Sequence, residues 1–194
     1  MLLRFLLSTL LIFLFTNGYG QREKYKAARE EGDEIFVITM DSVKHKGSKL
    51  KTPAAYPPPF IKLDGVKYSI TKPTEVLAYQ DENEYVVNVP GITGLSSRFV
   101  KGKINLYTYV VNLWVNGHYE MGFRWLLEKE KGVYLSATFE SMEKVFGDNA
   151  AVMAKYNQYF PNIKAKAVYF SSNIRKEERI FRDKVLELVE LYNK

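Results

Sequence analysis

The chain of 194 residues carries 28 Lys+Arg against 22 Asp+Glu, a formal charge of +6, with 46% hydrophobic residues and no cysteine. The absence of cysteine excludes disulfides, thiol chemistry, cysteine metal sites and the acylated N-terminal cysteine of a lipoprotein. The length suits one ordinary core without covalent staples.

Met1 to Gly20 reads as a secretory leader. Arg4 supplies the positive n-region, Phe5 to Phe15 a short apolar h-region, and Gly18-Tyr19-Gly20 a small-x-small cleavage site that leaves Gln21 first. The apolar run is shorter than the ~20 residues of a spanning helix, and no later stretch approaches that length. The mature protein is therefore expected to be exported, periplasmic or secreted, with no transmembrane anchor. Cleavage removes Arg4 and leaves +5. In an intracellular protein that balance would point to nucleic acid. In an exported one it points instead to an envelope polysaccharide, lipid headgroups or another envelope protein.

Residues 21–32 are charged and small, with Tyr25 their one large apolar residue, and read as a flexible lead-in. Ile35 to Met40 is β-branched and aromatic, Asp41-Ser42 signals a turn, and Val43 to Lys51 is expected as a return strand carrying Lys44, His45, Lys46, Lys49 and Lys51. That strand is either an anion-binding strip or a lysine-protected edge. Pro53 to Phe60 favours an extended crossing. Ile61 to Ile70 forms a hairpin about Asp64-Gly65. Residues 72–76 read as a single helical turn with Pro73 near its start, followed by short strands Leu77 to Gln80 and Glu84 to Val89.

The stretch from Phe99 to Thr138 is expected as a three-stranded antiparallel meander. Asn116-Gly117 suits a two-residue type I′ turn, because both central residues need positive φ. It sets the register from Val115 opposite His118 to Leu106 opposite Leu127. Alternation then places Ile104, Leu106, Val110, Trp114, Met121, Phe123, Trp125 and Leu127 on one face. The other face receives Asn105 with Glu128, Tyr107 with Leu126 and Tyr109 with Arg124, a mixed surface rather than a second core.

The period then changes. Phe139, Met142, Val145 and Phe146 share a helical face behind Thr138 as cap, and Asn149 to Phe160 is a second short helix. Ala165 to Phe170 is read as a strand. Arg175 to Tyr192 is an amphipathic helix with Ile180, Phe181, Val185, Leu188, Val189 and Tyr192 as its stripe. The fold class is thus α+β: an N-terminal, mostly antiparallel sheet of hairpins and meander, barrel-like or sandwich-like, then two short helices and a long C-terminal one. One domain is expected over 33–194, β-rich in 33–138 and helix-rich in 139–194.

The order of these features, with Asp41-Ser42-Val43-Lys44-His45-Lys46-Gly47, Phe60 to Tyr68, residues 72–76, Phe99 to Tyr107 and Leu191-Tyr192-Asn193, resembles a group of small exported proteins of Bacteroidetes bacteria that have no assigned activity. The likeness spans nearly all of the mature chain and departs from the group in a longer stretch from Asn162 to Ser172. It implies export and the fold, and contributes no active site.

Catalytic motifs are sparse. His45 and His118 belong to no H-x-x-H or H-E-x-x-H helix, so no zinc site of the usual kinds and no cofactor is expected. His118 and Glu120 share a strand face near a hairpin tip and read as a solvated pair. There is no G-x-S-x-G elbow. Pro90 to Arg98 has glycines, hydroxyls and an arginine but leads into a strand rather than the helix a phosphate loop needs. Paired carboxylates are the remaining route to catalysis. Glu120 and Glu128 lie roughly 27 Å apart along one strand, and the sequence does not place Asp41, Glu75 and Glu84 relative to one another. The candidate binding residues are Tyr107, Tyr109 and Arg124, where aromatic rings beside a guanidinium suit sugar rings or anionic groups. The leading expectation is a non-enzymatic binding module of the cell envelope. The alternatives are a periplasmic hydrolase with an unrecognised carboxylate site and a carrier of small apolar ligands.

Overall fold

The computed structural model describes residues 28–30, 32, 34–53, 58–71, 74–89, 95–115, 118–161 and 174–194, with side chains for all of these but 112–115, 118–122 and 174–179. The Asn116-Gly117 turn, the stretch Asn162 to Ser172 with its expected strand, and the side chains of Trp114, His118 and Glu120 lie outside the described residues. The register that the turn implies is nevertheless observed. β9 (Asn105–Val115) pairs antiparallel with β10 (His118–Glu128) from Val115 opposite His118 to Asn105 opposite Glu128.

Around this pair a large antiparallel sheet assembles from β1 (Ile35–Thr39), β2 (Lys44–Gly47), β6 (Val76–Gln80), β7 (Tyr85–Asn88), β8 (Leu95–Val100) and β11 (Tyr134–Ser136). Its eight strands run in the order β11-β10-β9-β8-β7-β6-β1-β2. The sheet is open, with β11 and β2 at its edges, so the barrel-like option gives way to a curled sheet. A second sheet of three strands consists of β3 (Leu50–Lys51), β4 (Phe60–Leu63) and β5 (Val66–Ser69). Asp64 and Gly65 both take positive φ between β4 and β5, as a tight hairpin turn requires. Helices α1 (Phe139–Phe146), α2 (Ala150–Tyr159) and α3 (Ile174–Asn193) complete the chain. Thr138 and Asn149 cap the first two, accepting hydrogen bonds from the backbone N–H groups of Ser141 and Val152.

The ladders align Val37, Tyr79, Val86, Ser97, Thr108 and Trp125 in one lateral row across the large sheet, hence on one face. Two layers cover that face. At the β1 end, Val37, Tyr79 and Val86 pack with Ile61, Leu63 and Ile70 of the small sheet and its flank. At the β10 end, Leu106, Trp125 and Leu127 pack with Met142, Phe146, Tyr156, Leu188 and Val189 of the helices. Each such aliphatic or aromatic side chain contributes about 1.5–3 kcal/mol on burial. Three residues expected in this core are not in it: Val110 is half-buried, Phe123 is 42% exposed, and Ile180 is 37% exposed on α3.

The opposite face is a second core, which corrects the mixed surface expected there. Tyr107, Tyr109 and Leu126 are buried with Ala78, Val87 and Val89, and Tyr85 and Tyr134 pack against them. Large antiparallel sheets twist and coil, and here one buried cluster on this face runs from Ala78 on β6 to Tyr134 on β11, so the sheet curls toward it. Burial, and after it the Glu30 and Glu128 carboxylates, push the Tyr85 hydroxyl up, with Arg98 opposing. The lead-in is also tied down from Ala28 onward. The Ala28 N–H donates to the Arg98 carbonyl at 2.8 Å, and Arg98, 2% exposed, pairs with Glu30 at 2.5 Å. Gln80 accepts from the Glu30 N–H at 2.6 Å and donates to the Glu34 carbonyl at 2.8 Å.

Two further expectations are revised. Val43 to Lys51 does not continue as one return strand: β2 stays in the large sheet and β3 enters the small one. Gly47 sits at the break, where a Cβ would lie 2.5 Å from Leu63 Cδ1. Residues 74–76 lead into β6 rather than forming a helical turn.

The end of α3 is stitched to the start of β9, since Asn193 accepts from the Ile104 N–H and donates to its carbonyl, both at 2.9 Å. Asn193→Ala is expected to destabilise the protein by about 1–3 kcal/mol, by leaving two half-buried backbone groups unpaired. Urea unfolding should report it as a lower midpoint with an unchanged slope.

Candidate functional site

Among the described residues the two covering layers stand apart. Between them, over the middle of the large sheet, lies a cleft of about 400 Å³. Its floor includes Ser97 and Thr108, the two hydroxyl residues at the centre of the lateral row. Tyr79 and Glu84 line one side and Val110 and Phe123 the other, while Thr52, Pro53 and Pro58 contribute a wall from the segment joining β3 to β4.

Glu84 is the charged group of this cleft. It precedes β7 at the end of a turn built on Asp81, whose carboxylate accepts from the N–H groups of Asn83 at 2.7 Å and Glu84 at 2.9 Å. The same turn points the Glu84 side chain to the floor, where Ser97 Oγ donates to Oε2 at 2.5 Å. Burial pushes the Glu84 carboxyl above its ordinary value and nearby Asp81 adds to this, while the Ser97 hydrogen bond works the other way. Phe123 offers an exposed ring at the opposite side, and the Arg182 guanidinium of α3 stands 5.6 Å from its centroid. Arg182 is held in place as its carbonyl accepts from Trp125 Nε1 at 3.2 Å.

A partly desolvated carboxyl, two hydroxyls and an open aromatic face with a cation beside it can hydrogen-bond a hydroxylated ligand and stack on its apolar face. Hydrolysis by paired acids needs a second carboxylate across the bond. Glu84 is the one carboxylate among the described residues lining the cleft.

Of the residues singled out in the sequence, Tyr109 is among those lining the cleft, while Tyr107 and Arg124 are not. Tyr107 is 2% exposed, and its hydroxyl donates to Glu128 Oε2 at 2.6 Å. Tyr109 is 9% exposed, and its ring belongs to the concave core. Arg124, opposite Tyr109 in register, is exposed. The three thus divide into two buried tyrosines and one exposed guanidinium. Ala78, Val87, Leu126 and Tyr134 share the cluster that buries the tyrosines. Glu128 is buried there and satisfied, accepting also from Asn105 Nδ2 and the Gly132 N–H, both at 2.8 Å.

In the expected anion strip, Lys44 and Lys46 are committed to Glu34 at 2.7 and 2.5 Å. Hydrogen bonds from the two lysines hold that carboxyl down to about 2. His45 turns the other way, with Nε2 3.5 Å from Thr39 Oγ1 and its ring centroid 5.5 Å from that of Tyr68. The described residues contain no cluster of three or more His, Cys, Asp or Glu that could hold a metal. Glu84 carried only a weak signal in the sequence, an acid beside a turn. Its role depends on where the small sheet and the helices stop.

No family model matches the chain, and no curated protein or solved structure matches it.

Because its folded pKa is raised, Glu84 favours the folded state when protonated and costs stability as pH rises through the folded pKa. Glu84→Gln keeps a hydrogen-bonding group without the charge. It should raise Tm at neutral pH, with the gain vanishing below about pH 4.5, the ordinary glutamate value. Thermal unfolding across pH checks the sign. Tyr107→Phe should destabilise by about 1.5–3 kcal/mol, the worth of a hydrogen bond to a charged group, and leave ligand binding unchanged.

Proposed function

We propose that the protein is an exported, non-enzymatic binding module of the cell envelope, and that its ligand is a glycan segment held in the cleft between the small sheet and the helices. The observation that carries this reading is the meeting of Glu84, Ser97, Thr108 and the exposed Phe123 ring in one cleft. A sugar presents hydroxyls to the first three and an axial C–H face to the ring. The leader-like residues Met1 to Gly20 support export, and no described helix is long and apolar enough to cross a membrane. The hydrolase reading has one of its two acids in the cleft. The carrier reading needs an apolar interior, and the concave face is occupied by packed tyrosine, valine and leucine side chains.

The test is calorimetric titration of the chain from Gln21 onward with soluble envelope oligosaccharides, including peptidoglycan fragments. Phe123→Ala is expected to weaken binding about tenfold, the scale of one aromatic contact. Glu84→Gln should weaken binding while raising Tm. If no oligosaccharide binds, or Phe123→Ala binds as the parent does, the cleft is not a glycan site. Release of reducing ends during the titration would replace the binding reading with the hydrolase one.

A further inference from the structure

The outward face of the small sheet carries a second feature, independent of the cleft. Lys51 on β3 is directly opposite Lys62 on β4, which is directly opposite Lys67 on β5. All three are exposed, and none has an acidic partner within ion-pair distance among the described residues. Neighbouring strands lie about 4.8 Å apart, so the three lysines are anchored in one lateral row whose Cα positions span about 10 Å. Like charges directly opposite on adjacent strands are destabilising, so folding gains nothing from this arrangement. Edge protection accounts for lysines on β3 and β5 but not for Lys62, because β4 is the central strand.

Phe60, on the same face by alternation, sits among the cations, with Lys67 Nζ 4.3 Å and Lys62 Nζ 5.7 Å from its ring centroid. The ring holds the two side chains over the sheet and reduces the entropy they lose when an anion binds. The exposed Val66 pairs with Leu63 and so belongs to the inner side of the sheet. Phe60 is the one aromatic residue of this face among the described residues, and it is half-buried beside the two ammonium groups rather than exposed as a bilayer anchor would be.

From this register we infer that Lys51, Lys62 and Lys67 form a binding track for a linear polyanion, a polymer carrying one carboxylate or phosphate per repeat at a spacing near that of the strands. A line of charges matches a linear polymer better than a plane of headgroups. The attraction works by releasing the polymer's condensed counterions, so it must fall steeply with salt.

The test uses the chain from Gln21 onward, titrated with polygalacturonate and with polyphosphate over a salt series. Binding of either supports the track, and the stronger of the two identifies the anion. The triple variant Lys51→Gln, Lys62→Gln, Lys67→Gln should lose about tenfold or more in affinity, with a log–log salt slope shallower by about two. A control triple with the same charge change at the exposed Lys103, Lys131 and Lys144 should bind like the parent. Without polymer the track triple should melt at or above the parent Tm, because repulsion has been removed, so lost binding cannot be ascribed to unfolding. Phe123→Ala should leave this binding intact, which separates it from the cleft. Equal losses in both triples would reduce the effect to net charge and overturn the track. Co-sedimentation with phosphatidylglycerol vesicles, or binding of duplex DNA, in preference to both polymers would overturn the choice of partner.

Discussion

The pairing of β9 with β10 determines what each side of the molecule contains. Over eleven facing pairs it sends Leu106, Trp125 and Leu127 to the helices and Tyr107, Tyr109, Leu126 and Glu128 to the concave side. A shift of one residue would exchange the two sets. The buried carboxylate of Glu128 would then leave the Tyr107 hydroxyl, the Asn105 amide and the Gly132 N–H that satisfy it, and an unsatisfied buried charge is far more costly than a misplaced apolar group. Polar satisfaction on one face and apolar packing on the other thus enforce the same register.

Both faces of a curled sheet must be covered, and among the described residues the covers are of different kinds. The small sheet covers one end of the outer face, the helices cover the other, and curvature with the strap residues Ala28, Glu30 and Glu34 covers the concave side. The cleft is a consequence of the first two being separate. The central pair Ser97 and Thr108 falls where neither cover reaches, and hydroxyls there tolerate water in a way that the flanking Val86 and Trp125 would not. Glu84 completes the cleft at some cost in stability, as a carboxyl partly withdrawn from solvent.

Much of the fold was legible in the sequence. The Asp64-Gly65 turn, the register and alternation of β9 and β10, the Thr138 cap and the amphipathic α3 are local signals, and local chemistry sufficed to place them. The candidate site was not legible. Tyr107, Tyr109 and Arg124 shared a face by alternation, but alternation does not say how strongly a sheet curls, and curvature buried the tyrosines. Val43 to Lys51 read as one strand because nothing short-range reports that Gly47 must approach Leu63. Glu84 and Phe123 are 39 positions apart, and the cleft between them exists only through the gap between two layers. The row Lys51, Lys62 and Lys67 likewise needs two strand registers to appear.

The strap bears on how the protein is made. Arg98 Nε donates to the Ala28 carbonyl across 70 residues of chain, and its guanidinium meets Glu30 across 68. These closures are entropically late and cannot form until β8 has emerged from the ribosome. Until then Glu30 has no Arg98 opposite it, and the Ala28 carbonyl lacks its guanidinium donor. The nascent chain therefore stays unlocked at its front end while most of its sheet is still being synthesised. The Arg98–Glu30 pair, with the arginine 2% exposed, is thus a late lock that closes the front of the fold onto strands already made.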